Sequence, residues 1–333
     1  MKSTIKKISI IGDGGWGTTL AIHLSKQGHD VVLWGPFEAY VKETAKTRIN
    51  KNFLPGYKIP KSVALTSDLG SAINRSDLIV LATPFQYLSL TLKKIKETSY
   101  HKKQFLSVIK GIDPQTFQTV SEIVKHELGN VPLAVLSGPT IASELAAGKA
   151  TTAVVASISK SLASSVQETF NAPDFRIYTS PDVVGVEIGG SIKNVIAIAC
   201  GVCDGLGLGT NAKAAILTRG LTEITRLGVA LGGKRETFYG LSCLGDLATT
   251  CFSPNSRNRC VGEALGKGKS IKTILSKMHM VAEGVETSKA VYRLGKQTKI
   301  PMPIVEQVYK IIFESKKPRL ALNDLMDRQL KAE

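Results

Sequence analysis

The stretch IIGDGGWGT, residues 10–18, carries the strongest structural signal in the sequence. It fits the pattern G-x-G-x-x-G, with glycines at positions 12, 14 and 17 behind a short β-branched run at residues 8–11. In such a turn Gly12 allows the sharp bend, Gly14 lets a pyrophosphate approach the main chain, and Gly17 lets the next helix pack on the strand. Because the N-terminus of that helix favours anions, the stretch predicts a dinucleotide-binding site.

The first half of the chain alternates between short apolar runs and amphipathic patterns. Continuous apolar strands separated by crossover helices are typical of a parallel sheet covered on both faces. The sequence therefore predicts a doubly wound Rossmann domain over residues 1–181. Strands are expected at residues 8–11, 31–34, 78–82, 105–109, 133–136, 152–156 and 175–178, and helices at residues 18–27, 85–96 and 117–128.

After Pro181 the pattern changes to helical spacing, which predicts an all-helical C-terminal domain over residues 182–333. The longest apolar stretch, residues 183–203, contains Glu187, Lys193 and Asn194, which favours a buried helix over a membrane span. The fold class is thus α/β, a Rossmann doubly wound sheet followed by helices. Further helical patterns occupy residues 258–265, 271–277, 285–297, 304–314 and 321–331.

Charge and composition narrow the function classes. The 333 residues carry a formal net charge of +16, which points to a phosphate-bearing partner. The cations are scattered in isolated doublets and only 6% of residues are aromatic, which argues against a specific nucleic-acid binder. Five cysteines are too few for a disulfide scaffold, and the C-x-x-C pair Cys200 and Cys203 lies in an apolar helical stretch, so we expect no metal or redox site. No targeting segment is recognisable, so a cytoplasmic location is expected.

The sequence leaves the choice between NAD and NADP open. An NAD site expects an acid about 20 residues after the turn, at the end of the second strand. The stretch VVLWGPFE, residues 31–38, has no acid in that place, and Glu38 comes late. The cations Lys42, Lys46 and Arg48 could contact an NADP phosphate only if the fold brings them close to the end of the second strand. Asp13 places a carboxylate inside the turn, which is unfavourable unless its side chain points away from the phosphates.

Lys193 is the first candidate for proton transfer. On a helix it is flanked by small residues, including Gly189 and Ala197 on its own face, which predicts an open patch of backbone where a small substrate could pack. A lysine there loses hydration, which favours the neutral amine. The alternative is a structural lysine that pairs with Glu187 or extends to the surface.

Two other ionisable residues stand at informative positions. Lys110 follows a predicted strand, and ligands of open α/β sheets bind outside the carboxyl ends of strands. Its alternative reading is a solvated loop lysine. Asp246 lies in the apolar stretch GLSCLGDL, residues 240–247, where it could orient a cation or a hydroxyl, or cap a helix.

The stretch SRNR, residues 256–259, opens a helical pattern after Pro254. A hydroxyl, a planar guanidinium and helix N–H groups together suit a bound phosphate. The alternative is an ordinary N-cap followed by two surface arginines.

Taken in order, several segments resemble the bacterial NAD(P)-dependent glycerol-3-phosphate dehydrogenase family over nearly the whole chain. The resemblance implies reversible reduction of dihydroxyacetone phosphate to sn-glycerol 3-phosphate for glycerophospholipid synthesis, with NAD or NADP as cofactor, and a homodimer. The positive net charge suggests at most a loose association with a membrane surface. The matching segments are residues 12–20, 52–56, 110–111, 137–140, 144–146, 189–197, 244–247, 256–259 and 281–284.

The same resemblance implies residue roles. Lys193 corresponds to the proton donor and acceptor at the C2 oxygen, Lys110 assists it and touches both substrate and cofactor, and Thr250 is a further site residue beside Asp246. Substrate binding is implied for Gly138, Thr140, Asp246, Ser256, Arg257 and Asn258. Cofactor binding is implied for Gly15, Trp16, Ala142, Arg257, Val281 and Glu283.

Some positions depart from the family pattern, namely Asp13, Gly15, Pro36, the step Lys149-Ala150 and Cys243. Pro36 leaves a preference for NADPH in doubt. Rival functions are a β-hydroxyacid dehydrogenase acting on a carboxylate, a catalytically silent dinucleotide sensor and a basic nucleic-acid binder. Ser256–Arg259 favours phosphate over carboxylate, and the presence of Lys193 and Lys110 argues against a silent sensor.

Overall fold

A computed structural model describes residues 6–278 and 281–330. The described chain divides into two compact units. Unit 1 takes its residues from Met1–Lys110 and Gln118–Glu187, and unit 2 from Gly111–Phe117 and Ile188–Glu333. A domain boundary between residues 181 and 182 remains a prediction.

Unit 1 is built on one eight-stranded sheet with the order β3-β2-β1-β4-β5-β6-β7-β8. All neighbouring strands run parallel except β6 and β7. The order reverses beside β1, so β1 and β4 enclose the switch point at which open α/β sheets bind ligands. The strands are β1 (Lys7–Ile11), β2 (Asp30–Trp34), β3 (Ala64–Thr66), β4 (Leu78–Leu81), β5 (Gln104–Ser107), β6 (Leu133–Ser137), β7 (Thr151–Ala156) and β8 (Phe175–Ser180).

Helices cover both faces of this sheet. Successive residues of β1 alternate between two hydrophobic clusters, with Ile10 in one and Ile11 in the other. Leu20 belongs to the first cluster, and Leu92 and Val124 belong to the second, so both faces are sealed by apolar side chains. The helices are α1 (Gly15–Lys26), α2 (Glu38–Thr47), α3 (Leu69–Asn74), α4 (Leu88–Lys96), α5 (Val120–Leu128), α6 (Ala142–Ala146) and α7 (Lys160–Phe170).

Unit 2 is mainly helical. Its first helix, α8 (Val183–Gly205), begins in unit 1 and belongs to unit 2 from Ile188 onwards. α8 is long and apolar enough to cross a membrane, but 89% of its most apolar window is buried, as in the core helix of a soluble protein. The remaining helices are α9 (Gly209–Ala230), α10 (Arg235–Phe238), α11 (Asp246–Phe252), α12 (Arg257–Gly266), α13 (Ile271–Leu275), α14 (Gly284–Gln297), α15 (Pro303–Phe313) and α16 (Pro318–Met326); one turn of π-helix, Leu241–Gly245, precedes α11.

The predicted fold class is confirmed, with differences at a few elements. β3 is absent from the sequence prediction because it is a three-residue, half-buried strand with no clear periodicity. The helix expected at residues 321–331 begins earlier, because Pro318 sits at its first turn, and ends at Met326. Residues 331–333, at the end of that expected helix, lie outside the described residues.

The five cysteines are free thiols, and four of them are packed inside unit 2. Cys200, Cys203, Cys243 and Cys251 are buried, whereas Cys260 on α12 is exposed. The two cysteines of the C-x-x-C pair are therefore buried side chains of the apolar helix α8, as their sequence context predicts.

Candidate active site

The phosphate turn, residues 12–17, is shaped by close main-chain approaches. Gly12 has φ +128°, and a Cβ there would lie 2.6 Å from the carbonyl of Ala82, which follows β4. A Cβ on Gly17 would collide with the carbonyl oxygen of Gly12. By contrast, nothing lies within 4 Å of a Cβ position on Gly14, the N-cap of α1. The turn is therefore tight on the inside and open at the point where a pyrophosphate would meet it.

A second feature at this edge fits a bound dinucleotide. The hydroxyl of Thr83, directly after Ala82, is buried without a hydrogen-bond partner. Buried hydroxyls are nearly always paired, so an orphan beside the phosphate turn favours a missing polar ligand. Sequence reasoning missed Thr83, although its place just after an apolar strand is the signal that identified Lys110.

Asn50, which follows α2, holds the phosphate turn in place, and sequence reasoning also missed it. Its Nδ2 donates to the main-chain oxygen of Asp13 at 2.7 Å and to the hydroxyl of Thr18 at 2.7 Å. The Asp13 side chain points away from the turn, and burial raises the pKa of its carboxyl to about 6. The predicted conflict between this carboxylate and the phosphates is avoided by that orientation.

The other cofactor candidates of unit 1 surround the turn. A Cβ on Gly15 would lie 2.6 Å from the carbonyl oxygen of Phe53, so a serine at this position would not fit without movement. The ring of Trp16 packs edge-on against Phe175, with ring centroids 6.3 Å apart. Ala142 begins α6, and its carbonyl accepts a hydrogen bond from Thr19 of α1 at 3.1 Å.

Lys110, Gly138 and Thr140 lie where β5 and β6 end. Lys110 is half-buried, and its Nζ lies 3.4 Å from the carbonyl oxygen of Gly138. The hydroxyl of Thr140 donates to the same oxygen at 3.1 Å. Because β1, β4, β5 and β6 are parallel, these residues share the sheet edge with the phosphate turn.

The lysine cluster of unit 2 consists of Lys193, Asp246 and Thr250. The Nζ of Lys193 donates to Asp246 Oδ1 at 2.8 Å and to the hydroxyl of Thr250 at 2.6 Å. The hydroxyl of Thr250, one turn along α11, also donates to Asp246 Oδ1 at 3.2 Å. Lys193 is 5% exposed and Asp246 is 2% exposed, so a carboxylate and a hydroxyl fix the ammonium in a buried setting.

Two expectations about Lys193 are wrong. Its acidic partner is Asp246 rather than Glu187, because Glu187 accepts hydrogen bonds from the Ser121 N–H at 2.8 Å and hydroxyl at 2.6 Å. The backbone beside Lys193 is not an open patch, since a Cβ on Gly189 would lie 2.6 Å from the Cβ of Cys243. Asp246 Oδ1 lies 2.8 Å from the Lys193 amine, a charged partner that the local sequence around Lys193 does not reveal.

The stretch at residues 256–259 begins α12 as predicted, with divided roles. The hydroxyl of Ser256 caps the helix by accepting from the Arg259 N–H at 3.2 Å. Arg259 turns to Asp204, with Nε and Oδ2 2.7 Å apart. Arg257 remains exposed and donates from Nη1 to the carbonyl oxygen of Val281 at 2.6 Å.

Asn258 connects this helix start to the lysine cluster. Its Nδ2 donates to Asn194 Oδ1 at 2.9 Å, and its Oδ1 accepts from the Gly284 N–H at 3.0 Å. Asn194 follows Lys193 on α8, and Glu283 precedes Gly284 at the start of α14. Sequence reasoning missed this contact of Asn194, because its partner lies 64 positions away.

The structure thus gathers the candidates into one group in each unit. In the part of the chain that the structure describes, no three His, Cys, Asp or Glu side chains form a group that could hold a metal ion. A Rossmann sheet with an intact phosphate turn, accompanied by a buried lysine held by a carboxylate and a hydroxyl, defines a dinucleotide-dependent dehydrogenase.

Comparison with known proteins gives the family. The models described as NAD-dependent glycerol-3-phosphate dehydrogenase N-terminus and C-terminus match residues 7–163 and 182–323. The chain belongs to the NAD-dependent glycerol-3-phosphate dehydrogenase family. It is 46% identical to glycerol-3-phosphate dehydrogenase (NAD(P)+) of Syntrophotalea carbinolica over 98% of this chain and 99% of the relative. It is 43% identical to the Fusobacterium nucleatum protein of the same name over 98% of each.

A solved structure agrees with this assignment. The crystal structure of glycerol-3-phosphate dehydrogenase from Coxiella burnetii superposes with a TM-score of 0.93 at 37% identity, covering 96% of this chain and 98% of that one. The D-mandelate dehydrogenase fold is shared at 15% identity with a TM-score of 0.64, which reflects the fold alone.

Proposed function

We propose that this protein is an oxidoreductase that catalyses the reversible, NAD(P)H-dependent reduction of dihydroxyacetone phosphate to sn-glycerol 3-phosphate, for glycerophospholipid synthesis. Family membership over nearly the full length supports the reaction. The observation that carries the chemistry is the buried Lys193 ammonium, held 2.8 Å from Asp246 and 2.6 Å from Thr250. A positive, proton-bearing group in fixed geometry is what a carbonyl oxygen needs when it gains charge.

The groups of unit 1 suit the cofactor. The nicotinamide cofactor supplies the hydride when it is bound. The open position at Gly14, the N-cap of α1, leaves the first N–H groups of that helix accessible to its phosphates, while Gly12 and Gly17 allow the close main-chain approaches that shape the turn. Gly15, Trp16, Lys110 and Ala142 border the same turn or sheet edge, and their proposed role is to fix its orientation.

Lys193 is proposed to stabilise the developing alkoxide at C2 and then donate its proton to that oxygen. Asp246 and Thr250 hold the amine in place and prevent it from swinging away. In the oxidation direction Lys193 takes the proton back. Lys110 is proposed to assist at the substrate oxygen.

The start of α12 is proposed to bind the substrate phosphate. Arg257 is exposed and offers a planar fork, Ser256 and Asn258 add polar groups, and the helix N-terminus adds its dipole. Gly138 and Thr140 of unit 1 are proposed to contact the glycerol part. Val281, which already accepts from Arg257, and Glu283 are proposed to border the cofactor.

Assembly and location are proposed on the resemblance alone: a homodimer in the cytoplasm, with residues 182–333 as the substrate-binding domain. A spectrophotometric assay with dihydroxyacetone phosphate and each reduced cofactor tests the proposed reaction. We expect oxidation of at least one cofactor that depends on the phosphate substrate. The same assay with dihydroxyacetone should be nearly silent, and absence of turnover with both cofactors would contradict the proposal.

A further inference from the structure

The carboxyl end of β2 is the place where a dinucleotide fold distinguishes NAD from NADP. An acid there bonds the ribose hydroxyls of NAD, and a nearby arginine accommodates the 2′-phosphate of NADP. In this chain β2 ends at Trp34 and is followed by Gly35, Pro36 and Phe37, which carry no charge. Phe37 is 70% exposed, which suits an adenine face. The strand itself therefore gives no discrimination.

Asp13 brings a carboxylate to this strand end from the phosphate turn. A Cβ on Gly35 would lie 2.5 Å from Asp13 Cγ and closer still to Oδ2, so the carboxylate rests directly on the Gly35 main chain. The hydrogen bonds from Asn50 and Thr18 reach only the main-chain oxygen of Asp13. Among the described residues, no side chain donates to this carboxylate; the main-chain N–H of Asp13 itself does, and burial has removed part of its water.

Of the three basic groups considered for a 2′-phosphate, two are engaged elsewhere. The guanidinium of Arg48 donates to the main-chain oxygens of Pro60 and Val63, the latter at 2.8 Å. Lys42 pairs with Glu38 at 2.6 Å on the surface of α2. The third cation, Lys46, lies on the exposed side of α2.

From this arrangement we infer that Asp13 recognises the ribose hydroxyls of the adenosine half and selects NADH over NADPH. The inference rests on the proposed function, since it concerns the same cofactor. It assigns the role of the acid normally found at the end of β2 to Asp13, which lies 22 positions before Gly35. The missing side chain at Gly35 makes this possible.

The chemistry of the two cofactors separates them at this carboxylate. A fixed carboxylate accepts hydrogen bonds from two vicinal hydroxyls, and bonds to a charged acceptor are stronger than neutral ones. A 2′-phosphate would instead bring like charge into contact with a half-buried anion, which disfavours NADPH. No described cation next to the carboxylate offsets that repulsion.

Calorimetric titration with NADH and with NADPH at pH 8, where Asp13 is ionised, tests the inference without requiring turnover. We expect the protein to bind NADH more tightly by about tenfold or more. Asp13→Asn should shrink the ratio of the two dissociation constants by about tenfold. Asp30→Asn removes an equal charge at the opposite, exposed end of β2 and should leave the ratio unchanged.

Two more variants separate the rival explanations. Gly35→Ala keeps the charge but displaces the carboxylate, so it should weaken NADH binding while leaving Asp13 in place. If Glu38→Gln changes the ratio and Asp13→Asn does not, the selecting acid is Glu38 and the inference is wrong. Equal affinity of the unmodified protein for both cofactors would also overturn it. Tight, NADH-selective binding without reduction of dihydroxyacetone phosphate would contradict the proposed function and leave the role of Asp13 standing.

Discussion

The phosphate turn of unit 1 is shaped by side chains that are missing, whereas the lysine cluster of unit 2 is shaped by side chains that are present. Gly12 and Gly17 act by letting main chains approach, and they lie five positions apart on one turn. Lys193 acts through Asp246 and Thr250, which lie 53 and 57 positions away. A site of the first kind tolerates no added atoms where its main chains meet, while a site of the second kind depends on keeping every polar atom paired.

The largest expected effect concerns the lysine cluster. Lys193→Ala should lower kcat by about 10³-fold or more, because it removes the proposed proton donor and the charge facing the alkoxide. NADH affinity, measured by calorimetry, should stay within a small factor of the unmodified value.

Lys213→Ala is the matched control, since Lys213 is also buried and ion-paired, with Asp204 at 2.8 Å. It should cost stability while keeping most of the turnover of the folded protein. Equal losses of kcat in both variants would remove Lys193 from proton transfer.

The phosphate turn should respond to one added methyl group with a loss of stability. Gly12→Ala combines a strained φ of +128° with a collision against the Ala82 carbonyl, so the free energy of unfolding should fall by about 3 kcal/mol. Gly28→Ala isolates the conformational part, because Gly28 has φ +85° and open space around it, and should cost about 1 kcal/mol. Urea denaturation measures both, and similar losses in the two variants would show that close approach is unimportant.

The start of α12 should respond through substrate affinity. Arg257→Ala should raise KM for dihydroxyacetone phosphate by about thirtyfold, with a smaller change in kcat, because the charged fork holds the phosphate. Arg257→Lys keeps the charge and should recover only part of the loss. An unchanged KM in the alanine variant would place the phosphate elsewhere.

The smallest effect concerns two buried carboxyls, Glu187 in unit 1 and Glu223 in unit 2. Burial raises the pKa of each to about 7, although main-chain N–H groups of Ser121 and of Ile304 and Val305 donate to them. Because the folded state holds these protons more tightly, their contribution to stability is complete below about pH 4.5 and is lost as the pH rises through 7.

Each carboxyl should therefore lower the free energy of unfolding by about 1 kcal/mol between pH 6 and pH 7. Glu223→Gln, measured by urea denaturation at several pH values, should reduce that slope, and Glu187→Gln should reduce it similarly. If the slopes persist in the double variant, other groups cause them.

The two sites also differ in how much of them can be predicted from the sequence. The parallel strands and the phosphate turn are predictable because their determinants are local: apolar runs, glycine spacing and the strand before the turn. The type of residue at Lys193, Lys110 and Asp246 is also visible. The pairing of Lys193 with Asp246 instead of Glu187 is not, since it depends on how α8 and α11 pack.

The orientation of the Asp13 side chain likewise depends on tertiary packing. Its sequence position suggests a clash with phosphates, and only the folded chain shows its carboxylate lying on Gly35. Sequence reasoning missed Asn50 because its side chain bonds a main-chain oxygen, that of Asp13. It missed Thr83 because that residue stands out only by a buried hydroxyl without a hydrogen-bond partner. Such signals arise from tertiary packing and leave no pattern in the linear sequence.

The distribution of thiols in unit 2 offers a natural reporter. Cys260 is the exposed cysteine, and it lies less than one helical turn after Arg257 on α12, while the other four thiols are enclosed by the fold. A maleimide fluorophore should therefore label the unmodified chain at one position beside the proposed phosphate-binding helix start. Substrate arrival could then be followed optically, in real time and without engineering the protein.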